Sequence, residues 1–469
     1  MFKFFILCLL IFTSQLNAEV NQLSNGEICV SAESIPLEGA DYKKNDLKSE
    51  KSLCEIDFNI TQSTPENKAV VLCPKLNSSF PGVDIIKLAK GVNKLDYQKN
   101  SCTKKPGAKN SGKIAKFKYS TSCSKSSSII GYYHISRALG IKSVPVAVAR
   151  TMDLSTHKEV VERAKVYISG SNDLIAKTWI RLDKELNEQK ESIVINGGTH
   201  SLGVLSVNPK GEQKTYNRIY FHADNQDLRL ERFLTESGSV YKQLSNPEPI
   251  SSHVSNKFNS ENYGLVKTMK DASDMLVLDT IFGQNDRFGN FHSEYKFAYI
   301  DGSKINKLSL KDIKKMINAS GNVNLLAKYN QAKDMPKDFR KPIRNRRNKL
   351  IGIILPFLKA QGINAAFYED LMLKDNDCGL RKSNPFIKNR VVEKINHLNS
   401  ETYFQLVNLY NAVIKESSLD NYLQNNLLMS DSDINKFKEN LTYTAEVLIS
   451  KYSNGLLHLD LDPSSHFLK

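Results

Sequence analysis

The chain has 469 residues, of which 40% are hydrophobic and 25% charged, and its formal net charge is +15. That length suits one large domain with additions, or two to three smaller ones. A mean hydropathy of -0.39 argues against a multi-span membrane protein, and a pI of about 9.2 points to anionic partners such as lipid, nucleic acid, acidic substrate or phosphate.

Residues 1–18 read as a signal peptide, with Lys3 as a positive n-region, "FFILCLLIF" as apolar core and a cut after Ala18. The core is too short to span a bilayer, so no transmembrane segment is expected after cleavage. Cys8 has no lipobox around it. An exported protein of bacterial type, periplasmic or secreted, is therefore expected. Of the seven cysteines, cleavage removes Cys8 and leaves Cys29, Cys54, Cys73, Cys102, Cys123 and Cys378. In an exported chain such a set predicts disulfides, whose pairing the sequence leaves open. Metal binding by thiols is disfavoured because there is no Cys-x-x-Cys.

Residues 19–80 look irregular and read as an N-terminal extension. From Val83, "VDIIKLAKGVNKLDYQK" predicts two strands around a turn at Gly91. "KKPGAKNSGK" is a turn and "IAKFKYS" a third strand. "GAKNSGKI" comes close to a P-loop, but Ile114 stands where Ser or Thr would bind magnesium, and a strand follows where a helix is needed. "SSSIIGYYHISRALG" predicts a helix stopped by Gly140. "SVPVAVAR" and "VVERAKVYIS" read as two further strands. Residues 171–265 are polar and mixed. Trp179 and His134 read as packing residues. "DASDMLVLDTIFG" is a helix closed by Gly283, and "FHSEYKFAYID" reads as two short strands. Helical patterns dominate from about residue 308 to the end. Within them "KPIRNRRNK", Lys341 to Lys349, is the densest basic run, readable as an anionic-surface contact or as a solvated helix face.

Three patches carry a resemblance. "FKYS" followed by "IIGYYHISRALGIKSVPVAVAR" resembles the helix-strand signature of atypical kinases. "FGQNDRFGNF" resembles their catalytic loop, Gly-Asn-x-Asp-Arg-x-x-x-Asn, and "YIDGS" resembles their metal-binding Ile-Asp-Asn-Gly. The group includes the secreted Golgi-type kinases (family with sequence similarity 20), the phosphoinositide kinases and the HipA-type kinases. The resemblance covers about residues 83 to 305 in patches. It implies an α+β, bilobal protein-kinase-like fold, with a strand-rich N-lobe at 81–265, a helical C-lobe at 266–469 and a disulfide-bearing N-terminal extension.

It also implies residue roles. Phosphoryl transfer depends on charge neutralisation and positioning. Asp286 would be the catalytic acid and Arg287 its brace. Lys118, with Lys116 in reserve, would hold the phosphates of ATP, and Gly91 would cover them. Asp301 and Asn290 would hold Mg²⁺ or Mn²⁺ through hard oxygen ligands. Read alone, Asp286 and Asn290 are also ordinary turn residues, and Asp301-Gly302 is a hairpin turn. Three positions depart from the family pattern. Ile129 stands where the helix usually carries Glu. Asn290 is four residues after Asp286, where five is usual. Phe288 replaces a His. The expected function is an exported kinase acting on a protein or other hydroxyl acceptor. The alternative is a degenerate pseudokinase, or a basic module acting by protein or anionic-ligand contact.

Overall fold

The computed structural model describes residues 19–468, apart from 24–25, 33, 62–68, 77, 79, 103–111, 122, 214–215, 217, 220, 222, 224, 290 and 336–341. The signal-peptide reading, Asn290 and Lys341 therefore lie outside the described residues.

An antiparallel sheet forms the first lobe. Its strands are β1 (Glu19–Gln22), β2 (Ile28–Ser31), β3 (Val70–Pro74), β4 (Val83–Lys87), β5 (Gly112–Lys118), β6 (Ala147–Asp153), β7 (Val194–Ile195) and β8 (His200–Val207). The order is β1-β2-β6-β8-β5-β4-β3, with β7 beside β8. Helix α1 (Lys44–Cys54) packs beside β2, α2 (Lys94–Asn100) beside β3, and α3 (Ser126–Ala138) separates β5 from β6 in sequence. A helical hairpin, α4 (Leu154–Ile168) and α5 (Leu174–Asn187), is inserted between β6 and β7. The segment 19–80 supplies β1, β2 and β3 to this sheet, so it is part of the lobe and not an appendage to it.

Two local readings change. "VVERAKVYIS" lies in α4 and is not a strand. Leu154, His157, Val160, Val161 and Ala164 are buried at helical spacing, with charged residues between them, so the amphipathic period outweighs the β-branched pair. The second half of "VDIIKLAKGVNKLDYQK" is α2, because the Asn93 side chain accepts from the Leu95 and Asp96 amides and caps a helix there. Gly112, Lys113 and Ile114 of the P-loop-like stretch lie in β5, away from any helix start.

The second lobe opens with β9 (Glu212–Gln213), so the division falls near residue 210 and not at 265. Its main helices are α6 (Gln226–Thr235), α7 (Ser260–Phe282), α8 (Leu310–Ala319), α9 (Val323–Asp334), α10 (Pro342–Ala360), α11 (Ser400–Tyr410) and α12 (Asp431–Ser453). A small sheet, β11-β10-β12, combines β10 (His292–Asp301), β11 (Lys304–Ser309) and β12 (Ala365–Met372), and β9 joins β10. The stretch read as two short strands is the single strand β10. Helices α8 to α10 close a separate apolar core against β10 and β12. A strand-rich lobe is thus followed by a helical lobe, the α+β, bilobal order expected from the sequence.

Three disulfides pair Cys29 with Cys54, Cys73 with Cys102, and Cys123 with Cys378. The first two staple the N-terminal lobe and the third joins the lobes. Such bonds fit an oxidising compartment. Among the described residues no helix is long and apolar enough to cross a membrane.

Candidate active site

The cleft is built from four pieces of backbone. The first is the end of β5. Lys116 and Lys118 alternate with buried Phe117, so both ammoniums reach the same side of the sheet, as strand geometry dictates. Gly203 on β8 makes room for the Phe117 ring and the β5 backbone. A Cβ there would lie 2.4 Å from the Lys118 carbonyl and 2.6 Å from the Phe117 ring.

The second piece follows β12. "LKDNDCGL", residues 373–380, turns sharply because Asp375 takes a left-handed φ of 52°. The kink brings two carboxylates to the lysines. Lys118 Nζ is 2.6 Å from Asp377 Oδ2 and 3.8 Å from Asp375 Oδ1. Lys116 Nζ is 3.1 Å from Asp375 Oδ1. Burial alone would raise the Asp375 carboxyl. Lys116, Lys75, the neighbouring His292 and Lys118 outweigh it, holding the group well below the usual carboxylate range.

The third piece is the loop after α7. Gly283 ends that helix at a left-handed φ of 59°. Asp286 then faces the same lysine-acid cluster. Its carboxyl is pushed up to about 6 by burial and by the charges of Asp377 and Asp375, against the pull of Lys118 and Arg287. Arg287 is fully buried. Its Nε is 2.7 Å from Asp279 Oδ2 of α7, and its Nη atoms donate to the Lys374 carbonyl (2.7 Å) and to Asn376 Oδ1 (2.6 Å). It therefore ties the Asp286 loop, α7 and the 373–380 loop together.

The fourth piece is the β3–β4 connection, Lys75 to Gly82. Lys75 Nζ lies 4.0 Å from Asp375, and a Cβ on Gly82 would meet the Lys118 side chain at 3.5 Å. Burial, then Lys116, lowers Lys75 to about 7, with Asp375 opposing. At the outer edge Glu212 is 2.8 Å from Lys374 Nζ, and its other oxygen is 2.5 Å from His292 Nδ1.

The structure brings together Lys116, Lys118, Asp286 and Arg287. It does not bring Asp301 to them. His292 Nε2 is 3.6 Å from Asp375 Oδ2, whereas Asp301 closes the other end of β10. Nine residues of strand separate these ends by about 30 Å. Asp301 is exposed and takes a weak 3.4 Å bond from Asn306 Nδ2. It is a hairpin residue. Gly91 is displaced as well. It turns at a φ of 80° beyond the end of β4 that pairs with Gly112, while the end near Val83 faces Phe117. Six residues of strand put it about 20 Å from Lys118. The basic run 341–349 is partly spent on internal contacts. Arg346 is buried and donates to the Lys333 carbonyl at 3.1 Å, and the Arg347 guanidinium sits 5.1 Å from the Phe367 ring centroid.

Sequence reasoning missed Asp375, Asp377 and Lys75. A signal existed for the first two, because Asp375-Asn376 follows the apolar strand β12 closely. It lies 74 residues after Asp301, behind the inserted helices α8 to α10.

The donor set fits a hard divalent cation. Among the described residues no group of three or more His, Cys, Asp or Glu converges on a metal position. Two carboxylates are nevertheless the protein share typical of Mg²⁺, the remaining ligands being phosphate oxygens and water.

No family model matches the chain, and no curated protein does. Among solved structures, a crystal structure of the Golgi casein kinase is 12% identical, covering 88% of this chain and 77% of that one at a TM-score of 0.41. The Golgi casein kinase with Mn/ADP bound is 12% identical, covering 89% of this chain and 80% of that one at the same TM-score of 0.41.

Proposed function

We propose that the protein is an exported ATP-dependent phosphotransferase acting on a protein or other hydroxyl acceptor. One observation carries the reading: Lys118, at 2.6 Å from Asp377, shares a buried interlobe cleft with Lys116, Asp375 and Asp286. An excess of ammonium groups around two carboxylates suits a triphosphate with its cation. In this reading Lys116, Lys118 and Lys75 hold phosphate oxygens, and Asp375 and Asp377 hold Mg²⁺ or Mn²⁺. When bound there, such a cation would supply neutralisation of the charge that develops on the phosphoryl group during transfer. Asp286 orients the acceptor hydroxyl and takes its proton, so the hydroxyl oxygen attacks the γ-phosphorus as the bond to the β-phosphate oxygen breaks. Arg287 keeps Asp286 and the 373–380 loop in register.

The test is incubation of the purified protein with γ-labelled ATP and Mn²⁺ or Mg²⁺. Label is expected in the protein or in an added substrate, and Asp286→Ala should remove it. Labelling at the parental rate in that variant would overturn the assignment.

A second reading, a non-catalytic pseudokinase, is favoured by Ile129, an apolar residue lining the cleft on α3, where the resemblance leads one to expect an acid. It requires a nucleotide-dependent thermal shift without turnover, or no shift at all.

A further inference from the structure

We infer that the N-terminal turn of α3 and the Cys123–Cys378 disulfide are positioning devices for the cleft: they clamp the 373–380 loop to the strand lobe so that Asp377 aligns Lys118. The inference deepens the phosphotransferase reading and rests on it for its functional consequence. Its structural content stands on separate observations.

Lys118 has its closest carboxylate in Asp377, which lies on a loop of the other lobe, 259 residues away. Such a contact holds a flexible lysine in place only if the loop is itself fixed. Beyond the lysines, and a bond from the Leu373 amide to the Ser143 carbonyl at 3.0 Å where the loop begins, the described contacts that fix it toward the strand lobe come from residues 123–128. Cys123 bonds Cys378, the residue after Asp377. The Lys125 amide donates to the Asp377 carbonyl at 2.8 Å. Ser128 Oγ donates to the Asn376 carbonyl at 2.6 Å and accepts from the Gly379 amide at 3.2 Å. Lys125 Nζ donates to the Leu380 carbonyl at 2.8 Å and pairs with Asp433 of α12 at 2.5 Å. Gly379 has no room to move toward α3, since a Cβ there would lie 2.4 Å from Ser128 Oγ.

The anchor itself is rigid, because every residue of α3 is buried. The acid loop and the lysine strand thus form one unit. Lobe opening about a simple hinge would have to break the covalent bond and these hydrogen bonds together.

The full chain carrying Ser128→Ala, and separately Cys123→Ser with Cys378→Ser, should be compared with the parent in three ways. These are hydrogen exchange of the 374–382 segment, acylation of Lys118 read by peptide mass spectrometry, and phosphotransfer. Loop exchange and Lys118 labelling should each rise at least about fivefold in both variants. The kcat/KM for ATP should fall at least about tenfold. Ser128→Thr, which keeps the hydroxyl, should return both readouts toward the parent. Cys29→Ser with Cys54→Ser, which removes a disulfide away from the loop, should leave Lys118 labelling unchanged.

Parental loop exchange and Lys118 labelling in both cleft variants would overturn the inference, even with a working enzyme. A parent protein that transfers no phosphate while its labelling responds as expected would sink the phosphotransferase reading alone.

Discussion

Asp286 is a carboxyl group that burial and two like charges keep protonated to about pH 6. A general base must be ionised to accept a proton. Its folded pKa is raised, so the active form is lost as pH falls through that value. The kcat/KM for phosphotransfer is therefore expected to drop about tenfold per pH unit below pH ~6. Asp286→Asn should be slower by at least about 100-fold and should lose that limb. A parental profile flat from pH 5 to 8 would remove Asp286 from the role. A second contrast separates the two candidate metal positions. Asp375→Ala should lower activity by at least about 100-fold, because it removes a ligand for the cation and leaves Lys116 unpaired. Asp301→Ala, at an exposed hairpin, should stay within about twofold of the parent. Activity assays on the two variants decide the matter, and the reverse ranking would restore the hairpin position. Asp286 and Arg287 were legible because they are contiguous, Asn-Asp-Arg after an apolar helix. The acid loop was not, because the chain inserts three helices before it, and a nearer Asp-Gly turn matched the pattern sooner.

At the scale of elements, α3 shows how a helix is held when both its sides are covered. On one side Tyr132 donates to Asp279 at 2.8 Å and stacks on Phe282, both of α7, with centroids 4.2 Å apart. On the other, α1 contributes Asp46 to Arg137 at 2.8 Å, and Glu50, which accepts from the Tyr133 hydroxyl. Burial raises Glu50 to about 7, with the Tyr133 bond opposing. The folded state therefore binds this proton more tightly than the unfolded state does. The stability it contributes is complete below about pH 4.5 and is lost as pH rises from there to about 7. Glu50→Gln keeps an acceptor for Tyr133 and carries no charge. It should be more stable than the parent by about 2–3 kcal/mol at pH 8 and show no advantage at pH 4. Denaturant unfolding at the two pH values measures the difference, and an equal effect at both would refute the assignment. The same scale exposes a limit of local reading. α3 and α7 were legible because each is long, periodic and capped by glycine. α4 was not, because a Val-Val pair suggested a strand while the deciding evidence, burial at every third or fourth position, spans the whole helix.

For the whole molecule, the order of a strand-rich and a helix-rich half was legible from the sequence, but the line between them was not. β9, which begins the second lobe, is two residues long, and β1 and β2 are four residues each, too short to show an alternating pattern. The disulfide pairing was equally hidden, since it depends on which strands meet. That pairing carries a consequence for stability. Cys29–Cys54 and Cys73–Cys102 span 25 and 29 residues, whereas Cys123–Cys378 spans 255. In the chain-entropy account a closed loop restrains the unfolded state by an amount that grows with the logarithm of its length. The short loops then contribute about 3.5 kcal/mol each and the long one about 5.5 kcal/mol. Replacing Cys123 and Cys378 by Ser should therefore lower the denaturant midpoint more than replacing Cys29 and Cys54, by the equivalent of about 2 kcal/mol. The long bond also sits between the lobes, so its loss should separate their unfolding. Calorimetry tests this: two transitions where the parent shows one would mean that the apolar core running through both lobes does not couple them without the bond. Equal midpoints for the two variants, with a single transition in both, would mean that packing between α3 and α7 holds the lobes together without the covalent tie.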